Sequence, residues 1–248
     1  MGAVSPSRYT VQAGWDHVPH LDAKTRKELY DSTPPHLREA RSQGVPSLGS
    51  GAIYPIMWQD VTCSPFAIPA HWKRGYGMDV GWKKTSAIWG AQDPADGTLY
   101  AYSEYYVGEK VPLIHATAVK ARGDWMVGAM DSAAWGRSQR DGEQLMVEYM
   151  DCGLKLVNAN KAVEAGLYHV WQLLETGRLK FFNTLRNTAA EYRIYRRDEK
   201  GDVVKENDHL MDALRYMCMT WLEIARVKPA DQSVMPGGPR QNASSVGY

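Results

Sequence analysis

The sequence predicts an α/β domain built on a mixed sheet, and three features carry that prediction. The 248 residues suit one large domain, or one domain with appendages. Three strand-like runs between residues 75 and 107 are joined by two tight links, which makes an antiparallel meander. The apolar runs that follow are separated by helical patterns, which makes parallel crossovers, right-handed by rule.

The elements follow in order. Gly75 to Trp82, GYGMDVGW, is a strand with Met78 and Val80 on one face and Asp79 on the other. Thr85 to Gln92 is a second strand. The turn Asp93-Pro94-Ala95-Asp96-Gly97 leads to a third, Thr98 to Val107, rich in Tyr. Pro112 opens a helix that runs to Arg122. Trp125 to Met130 is a compact apolar fourth strand that ends at Asp131. Asp141 to Asp151 is helical and Gly153 caps it. Leu154 to Asn158 is a fifth strand, and Val163 to Glu175 a helix with Gly177 just past its end. A last helix runs from Asp208 to Arg226, which completes the order β-β-β-α-β-α-β-α. Between these, Glu191 to Asn207 alternates around Glu199-Lys200-Gly201-Asp202 and is expected to add a β-hairpin.

The flanks differ from this core. Residues 1–50 are polar and broken by Pro6, Pro19, Pro34, Pro35 and Pro46, with short helices expected over 22–31 and 35–41. They are expected to form an N-terminal arm or linker, with the domain proper over 51–226. Residues 227–248 hold Pro, Gly, Ser and Asn and almost no core formers, so disorder is expected there.

Composition excludes several classes. Apolar residues are 44% and charged residues 23%, ordinary for a globular chain and wrong for a collagen-like or wholly disordered one. No run approaches the ~20 apolar residues of a membrane span, and no signal peptide pattern occurs. Cys63, Cys152 and Cys218 are far apart and odd in number, which points to a reducing compartment and not to a disulfide framework or zinc ribbon. With 29 Lys+Arg against 28 Asp+Glu the net charge is +1, so any nucleic-acid binding must use local patches or bound metal.

Acids concentrate at three places. Asp79 is a charge in the middle of a strand, where burial is costly unless it is paired or metal-bound. Asp131 ends the fourth strand. In this topology the fourth strand belongs beside the first, in parallel, so Asp79 and Asp131 fall side by side. Asn207-Asp208-His209-Leu210-Met211-Asp212 opens the last helix, with Asp208 and Asp212 four apart on one face. Leu210, Leu214, Met217 and Trp221 cover the opposite side, so the acidic stripe is expected to face protein. Carboxylates so grouped raise one another's pKa unless a cation neutralises them. Oxygen donors with one imidazole suit Mg²⁺ or Mn²⁺, and two such ions about 3.5–4 Å apart form a clamp for in-line phosphodiester displacement.

Each residue also has a plainer reading. Asp131 alone would simply end a strand, Asp208 is equally an N-cap residue, and His209 alone would be an ordinary first-turn histidine. Glu104 reads as an exposed strand residue before an accessory acid. Lys83 and Lys84, just after the first strand, could contact phosphates, though surface lysines usually do nothing so specific. Arg193, Arg196, Arg197 and Lys200 lie among Tyr192 and Tyr195, a mix suited to a DNA backbone.

GYGMDVGW followed by TSAIWGAQ, the run LYAYSEYYV, the segment VGAMDSAAWG and ENDHLMDALRY together resemble the C-terminal nuclease domain of phage terminase large subunits. The stretch AGWDHVPHLDAKTRKELYDSTPPHLREARSQGVPSLGSGAIYPI resembles the segment that joins the ATPase domain of a terminase to its nuclease, so the likeness covers residues 9–225. The resemblance implies an RNase H-like fold, here a five-stranded sheet flanked by helices with an added hairpin near the substrate. It implies an endonuclease that cuts concatemeric double-stranded viral DNA with little sequence preference, using Mg²⁺ or Mn²⁺, with two ions expected. Carried over by motif, the metal-binding and catalytic acids are Asp79, Asp131 and Asp212, with Asp208 a further ligand and His209 beside it. The implied partners are DNA, the ATPase domain, the portal and the small terminase subunit. The implied location is the host cytoplasm, docked transiently on the procapsid, with no membrane and a monomeric chain. No G-x-x-x-x-G-K-[ST] phosphate loop occurs, so no ATPase activity is expected of this chain. Other RNase H-like nucleases, such as a junction resolvase or transposase core, and a portal-docking module silent in cleavage remain the alternative readings.

Overall fold

The sheet is organised around strands that are buried on both faces. A computed structural model describes residues 14–32, 42–43, 51–131, 139–198 and 200–229. Its strands are β1 (Thr62–Cys63), β2 (Lys73–Asp79), β3 (Thr85–Gln92), β4 (Leu99–Val107), β5 (Val127–Met130), β6 (Lys155–Asn158) and β7 (Leu179–Phe182). They form one seven-stranded sheet in the order β1-β7-β4-β3-β2-β5-β6. β2, β3 and β4 make the antiparallel meander. β5 then lies parallel to β2, β6 parallel to β5, and β7 parallel to β4.

Helices cover both faces. They are α1 (Ala23–Ser32), α2 (Pro112–Lys120), α3 (Gln139–Asp151), α4 (Val163–Glu175), α5 (Arg186–Ile194), α6 (His209–Met219) and α7 (Trp221–Ile224). Along β3, Ala87 and Trp89 join Tyr76, Met78 and Tyr105 in a core completed by Ala116 and Val119 of α2 and Met146 and Tyr149 of α3. The intervening Ile88, with Ala101, Ala129 and Phe181, faces the other way, onto Leu167 and Val170 of α4, Tyr192 of α5 and the apolar side of α6. Alternation within each strand thus builds two cores, one on each side of the sheet.

The close packing of α6 on β2 rests on glycine. A Cβ at Gly77 would stand 1.9 Å from the Ala213 carbonyl oxygen and 2.8 Å from the Met217 nitrogen, both helix backbone. A Cβ at Gly75 would meet Ile224 of α7 at 2.9 Å. Gly75, Gly77 and Asp79 share one face of β2 by period two, so the face that admits the helix is the face that carries the acid.

The five predicted strands and their order are present, and the expected helix over 22–31 is α1. Three predictions are corrected. The sheet has seven strands, not the expected five: β1 (Thr62–Cys63) has only two residues, and β7 has four, LKFF, buried between β1 and β4. Glu191 to Asn207 is not a hairpin throughout, since Arg186–Ile194 is helical and a single antiparallel bridge, Arg197 to Val203, spans the turn. The alternation that read as strand there also places Thr188, Ala189, Glu191 and Tyr192 on one buried helical face. The last helix is not continuous to Arg226. It breaks at Thr220, whose hydroxyl accepts the Asn160 amide at 3.1 Å, and α7 then leads to a bridge between Arg226 and Arg74. The helix expected over 35–41 and most of the tail (230–248) lie outside the described residues.

Candidate active site

Strand register sets the first two acids. Met78 pairs with Met130 across the parallel β2–β5 ladder, so Asp79 and Asp131 follow side by side at the C-terminal ends of neighbouring strands. Both belong to the face on which α6 lies. A charge is tolerated at Asp79 because it has a specific partner: His209 Nδ1 donates to its Oδ2 at 2.9 Å.

The third group comes from α6, whose start is fixed by other elements. Asp208 is its N-cap residue but makes no side-chain cap bond. The cap is supplied instead by Glu191 of α5, whose buried Oε2 accepts the Leu210 amide at 2.6 Å. Ser86, paired with Asp79 across β2 and β3, donates its hydroxyl to the His209 carbonyl at 2.8 Å. α5 is in turn capped by Glu104 of β4. That carboxylate accepts the Asn187 and Thr188 backbone amides at 2.9 and 2.8 Å, and also the Thr188 hydroxyl and Asn187 side chain. Glu104 is therefore neither an exposed strand residue nor an accessory acid of the site. It orders the helix that orders the acidic helix.

Asp79 and His209 are hydrogen-bonded, Tyr216 of α6 reaches Asp131, and Asp208 and Asp212 share Lys205. Tyr216 lies among them: its hydroxyl reaches Asp131 Oδ2 at 3.5 Å, and the charges of Asp212, Asp79 and Asp131, with burial foremost, hold the phenol above its usual range. Burial pushes the Asp79 carboxyl up, and the neighbouring Asp212 and Asp208 charges add to this, against the His209 hydrogen bond. The bond to Asp79 in turn holds His209 above the ordinary imidazole range.

The remaining charge is balanced by basic residues that sequence reasoning missed. Lys161 Nζ lies 3.2 Å from Asp131 Oδ1. Arg215, only 2% exposed, donates to Asp212 Oδ1 at 2.9 Å, and Lys205 to Asp212 Oδ2 at 3.1 Å. Arg215 had a sequence signal, since it stands one helical step from Asp212. Lys205 also had a local one, three residues before Asp208, whereas Lys161 comes from coil 30 positions from Asp131 and had none. Among the described residues no three His, Cys, Asp or Glu form a ready-made metal cage. The donor chemistry still fits a hard divalent ion: carboxylates from β2, the end of β5 and the start of α6 lie near enough to raise one another and Tyr216, and Asp208 Oδ2 is buried with no hydrogen bond. Asp79, Asp131 and Asp212, with Asp208, are the residues that could hold it.

The basic residues singled out for DNA have mixed placements. Lys83 is exposed, and Lys84 lies 4.5 Å over the Tyr106 ring, which itself stands near His209. Lys200 is exposed and Arg196 half-buried. Arg197 is committed elsewhere, in a two-pronged pair with Glu164 at 2.6 and 3.0 Å. Arg193 is half-buried with a buried Nε. Tyr192 and Tyr195 are not arranged for a DNA backbone: both are core residues packed on Tyr54, and Tyr192 donates to the Ile56 carbonyl.

Parallel central strands that end in acids beneath an acid-bearing helix define an RNase H-like nuclease domain. The family model described as the terminase RNaseH-like domain matches residues 76–220, and the chain belongs to that family. It is similar to the large terminase subunit of Salmonella phage P22, 32% identical over 207 residues. That match covers 79% of this chain and 41% of the P22 protein, so the chain spans about two-fifths of the length of that curated relative. The structure of the P22 large terminase nuclease domain matches with a TM-score of 0.67 and 30% identity, covering 72% of this chain and 96% of that one. A large terminase from a thermophilic bacteriophage shares the fold at 19% identity and a TM-score of 0.61, over 84% of this chain and 55% of that one.

Proposed function

We propose that this chain is a divalent-metal-dependent endonuclease that cuts double-stranded viral DNA concatemers during genome packaging. One observation carries the reading: register places Asp79 and Asp131 side by side, and α6 sets Asp212 and Asp208 against them. Membership of the terminase family and the likeness to the P22 nuclease domain support it. Asp79, Asp131 and Asp212 would hold the metal, with Asp208 beside them. Bound Mg²⁺ or Mn²⁺, as a pair, would supply activation of the attacking water and stabilisation of the leaving oxygen. His209 orients Asp79 through Oδ2 and leaves Oδ1 to a ligand, the usual way an outer partner fixes a metal-binding group. Asp131 is held on both oxygens, by Tyr216 at Oδ2 and Lys161 at Oδ1. Lys83, Lys84, Arg196 and Lys200 are the exposed or half-exposed cations proposed to contact the backbone of a duplex, without reading its sequence. In the whole protein the ATPase domain, portal and small subunit are the proposed partners, in the host cytoplasm.

The test is cleavage of supercoiled plasmid by the purified chain with Mn²⁺. The expected products carry 5′-phosphate and 3′-hydroxyl ends, with cutting abolished by chelation and by Asp79→Asn. Cutting that survives Asp79→Asn would remove the assignment.

A further inference from the structure

The acidic site contains a cation of the chain's own whose side chain reaches solvent. Lys205 comes from the extended stretch after the 198–202 turn. Its Nζ lies 3.1 Å from Asp212 Oδ2 and 3.2 Å from Asp208 Oδ2, so one ammonium bridges two acids of α6. The two carboxylates are 12% and 9% exposed, whereas the Lys205 side chain is 58% exposed. Asp208 Oδ2, which has no hydrogen bond, has this ammonium as an ion-pair partner at 3.2 Å.

Two cations occupy Asp212, and they differ in mobility. Arg215 holds Oδ1 and is immobilised: it is buried, lies 4.6 Å over the Tyr216 ring, and donates to the Lys161 carbonyl at 3.2 Å. Lys205 holds Oδ2 on a flexible stem that reaches solvent, with rotamer freedom to regain on leaving. A divalent ion bound by Asp208 and Asp212 would need the oxygens that Lys205 now covers. An ammonium bridging the two Oδ2 atoms competes with a metal ion for them, because two cations held against the same oxygens repel.

We propose that Lys205 is a resident counter-ion, which holds Asp208 and Asp212 together in the metal-free protein and is displaced when a divalent ion binds. The proposal rests on the reading of these acids as a metal centre. It makes Lys205 a positioning residue that stabilises the empty site and weakens metal affinity by competition. Removing the ammonium therefore has opposite effects on the two states: the metal-free protein loses a counter-ion, and the metal gains two uncovered carboxylates.

The experiment is calorimetric titration of Mn²⁺ into the wild-type chain, Lys205→Met and Lys205→Arg, with thermal melts of each in chelator and in Mn²⁺. Lys205→Met should bind Mn²⁺ about tenfold more tightly than wild type, melt lower in chelator, and gain more on adding Mn²⁺. Lys205→Arg keeps the charge and should stay within about twofold of wild type. Equal or weaker binding by Lys205→Met, or equal tightening by Lys205→Arg, would overturn the proposal while leaving the metal centre standing. If neither wild type nor Lys205→Met binds Mn²⁺, the metal-centre reading fails and this proposal with it.

Discussion

Gly77→Ala tests whether the site depends on the close seating of α6 on β2. The added Cβ would stand 1.9 Å from the Ala213 carbonyl oxygen, whereas Cβ atoms essentially never approach a neighbour within 3.0 Å. Helix backbone must therefore move by about 1 Å, and it cannot yield as a side-chain tip would. Overpacking of this kind costs about 1–3 kcal/mol. At about 2–4 °C per kcal/mol for a domain of this size, the melting temperature should fall by about 2–12 °C. The same movement carries His209 and Asp212 away from Asp79, and a misplacement of about 1 Å can cost about 100-fold in rate. Gly90→Ala is the control, because its Cβ meets the Met217 sulfur at 2.8 Å, part of a flexible side chain on the same helix. The assay is thermal unfolding by circular dichroism together with Mn²⁺-dependent plasmid cleavage. Gly77→Ala with the melting temperature and cleavage rate of wild type would refute the reasoning.

The remaining predictions concern the charges. Asp79→Asn should raise the melting temperature in chelator, since burial and the Asp212 and Asp208 charges disfavour the ionised carboxyl, while it abolishes cutting; a melt below wild type would contradict this. His209→Gln should weaken Mn²⁺ binding about 10–100-fold, as loss of an orienting partner does, measured by titration. The Asp79 hydrogen bond holds His209 above the ordinary imidazole value, so its stabilisation is full below about pH 6.5 and is lost as pH rises through the folded-state value. The stability difference between wild type and His209→Gln in chelator should therefore shrink from pH 6 to pH 9, and a difference that grows would reverse the assignment. Glu104→Ala removes the acceptor for two amides at the start of α5 and should cost about 1–2 kcal/mol in urea unfolding; no change would deny that this carboxylate is the cap.

The strands and the acids were legible for the same physical reason. Period-two alternation and turn residues marked the meander, and topology then forced Asp131 beside Asp79. β7 was illegible because four residues with a central lysine carry no period. The 191–207 stretch misled because EYRIYRR alternates as a strand would, yet places Tyr192 and Tyr195 three apart, and burial against Tyr54 decided for helix and core. The counter-ion Lys161 is invisible in the sequence because it stands 30 positions from Asp131, whereas Lys205 is local, three residues before Asp208, and its role turns on how the coil before α6 folds back. Glu104 and Glu191 escaped for a related reason: each caps a helix that it does not belong to, which no local pattern records. Asp208 stands at the N-cap position of α6 without capping it by its side chain, so its position alone does not separate a capping from a binding role.

Metal occupancy in a crystal tests the central claim most directly. Crystals of the chain soaked in Mn²⁺ should show anomalous density contacted by Asp79 and Asp131 together with an acid of α6, Asp212 or Asp208. Density elsewhere, or contact from Asp79 and Asp131 with no acid of α6, would contradict the assignment.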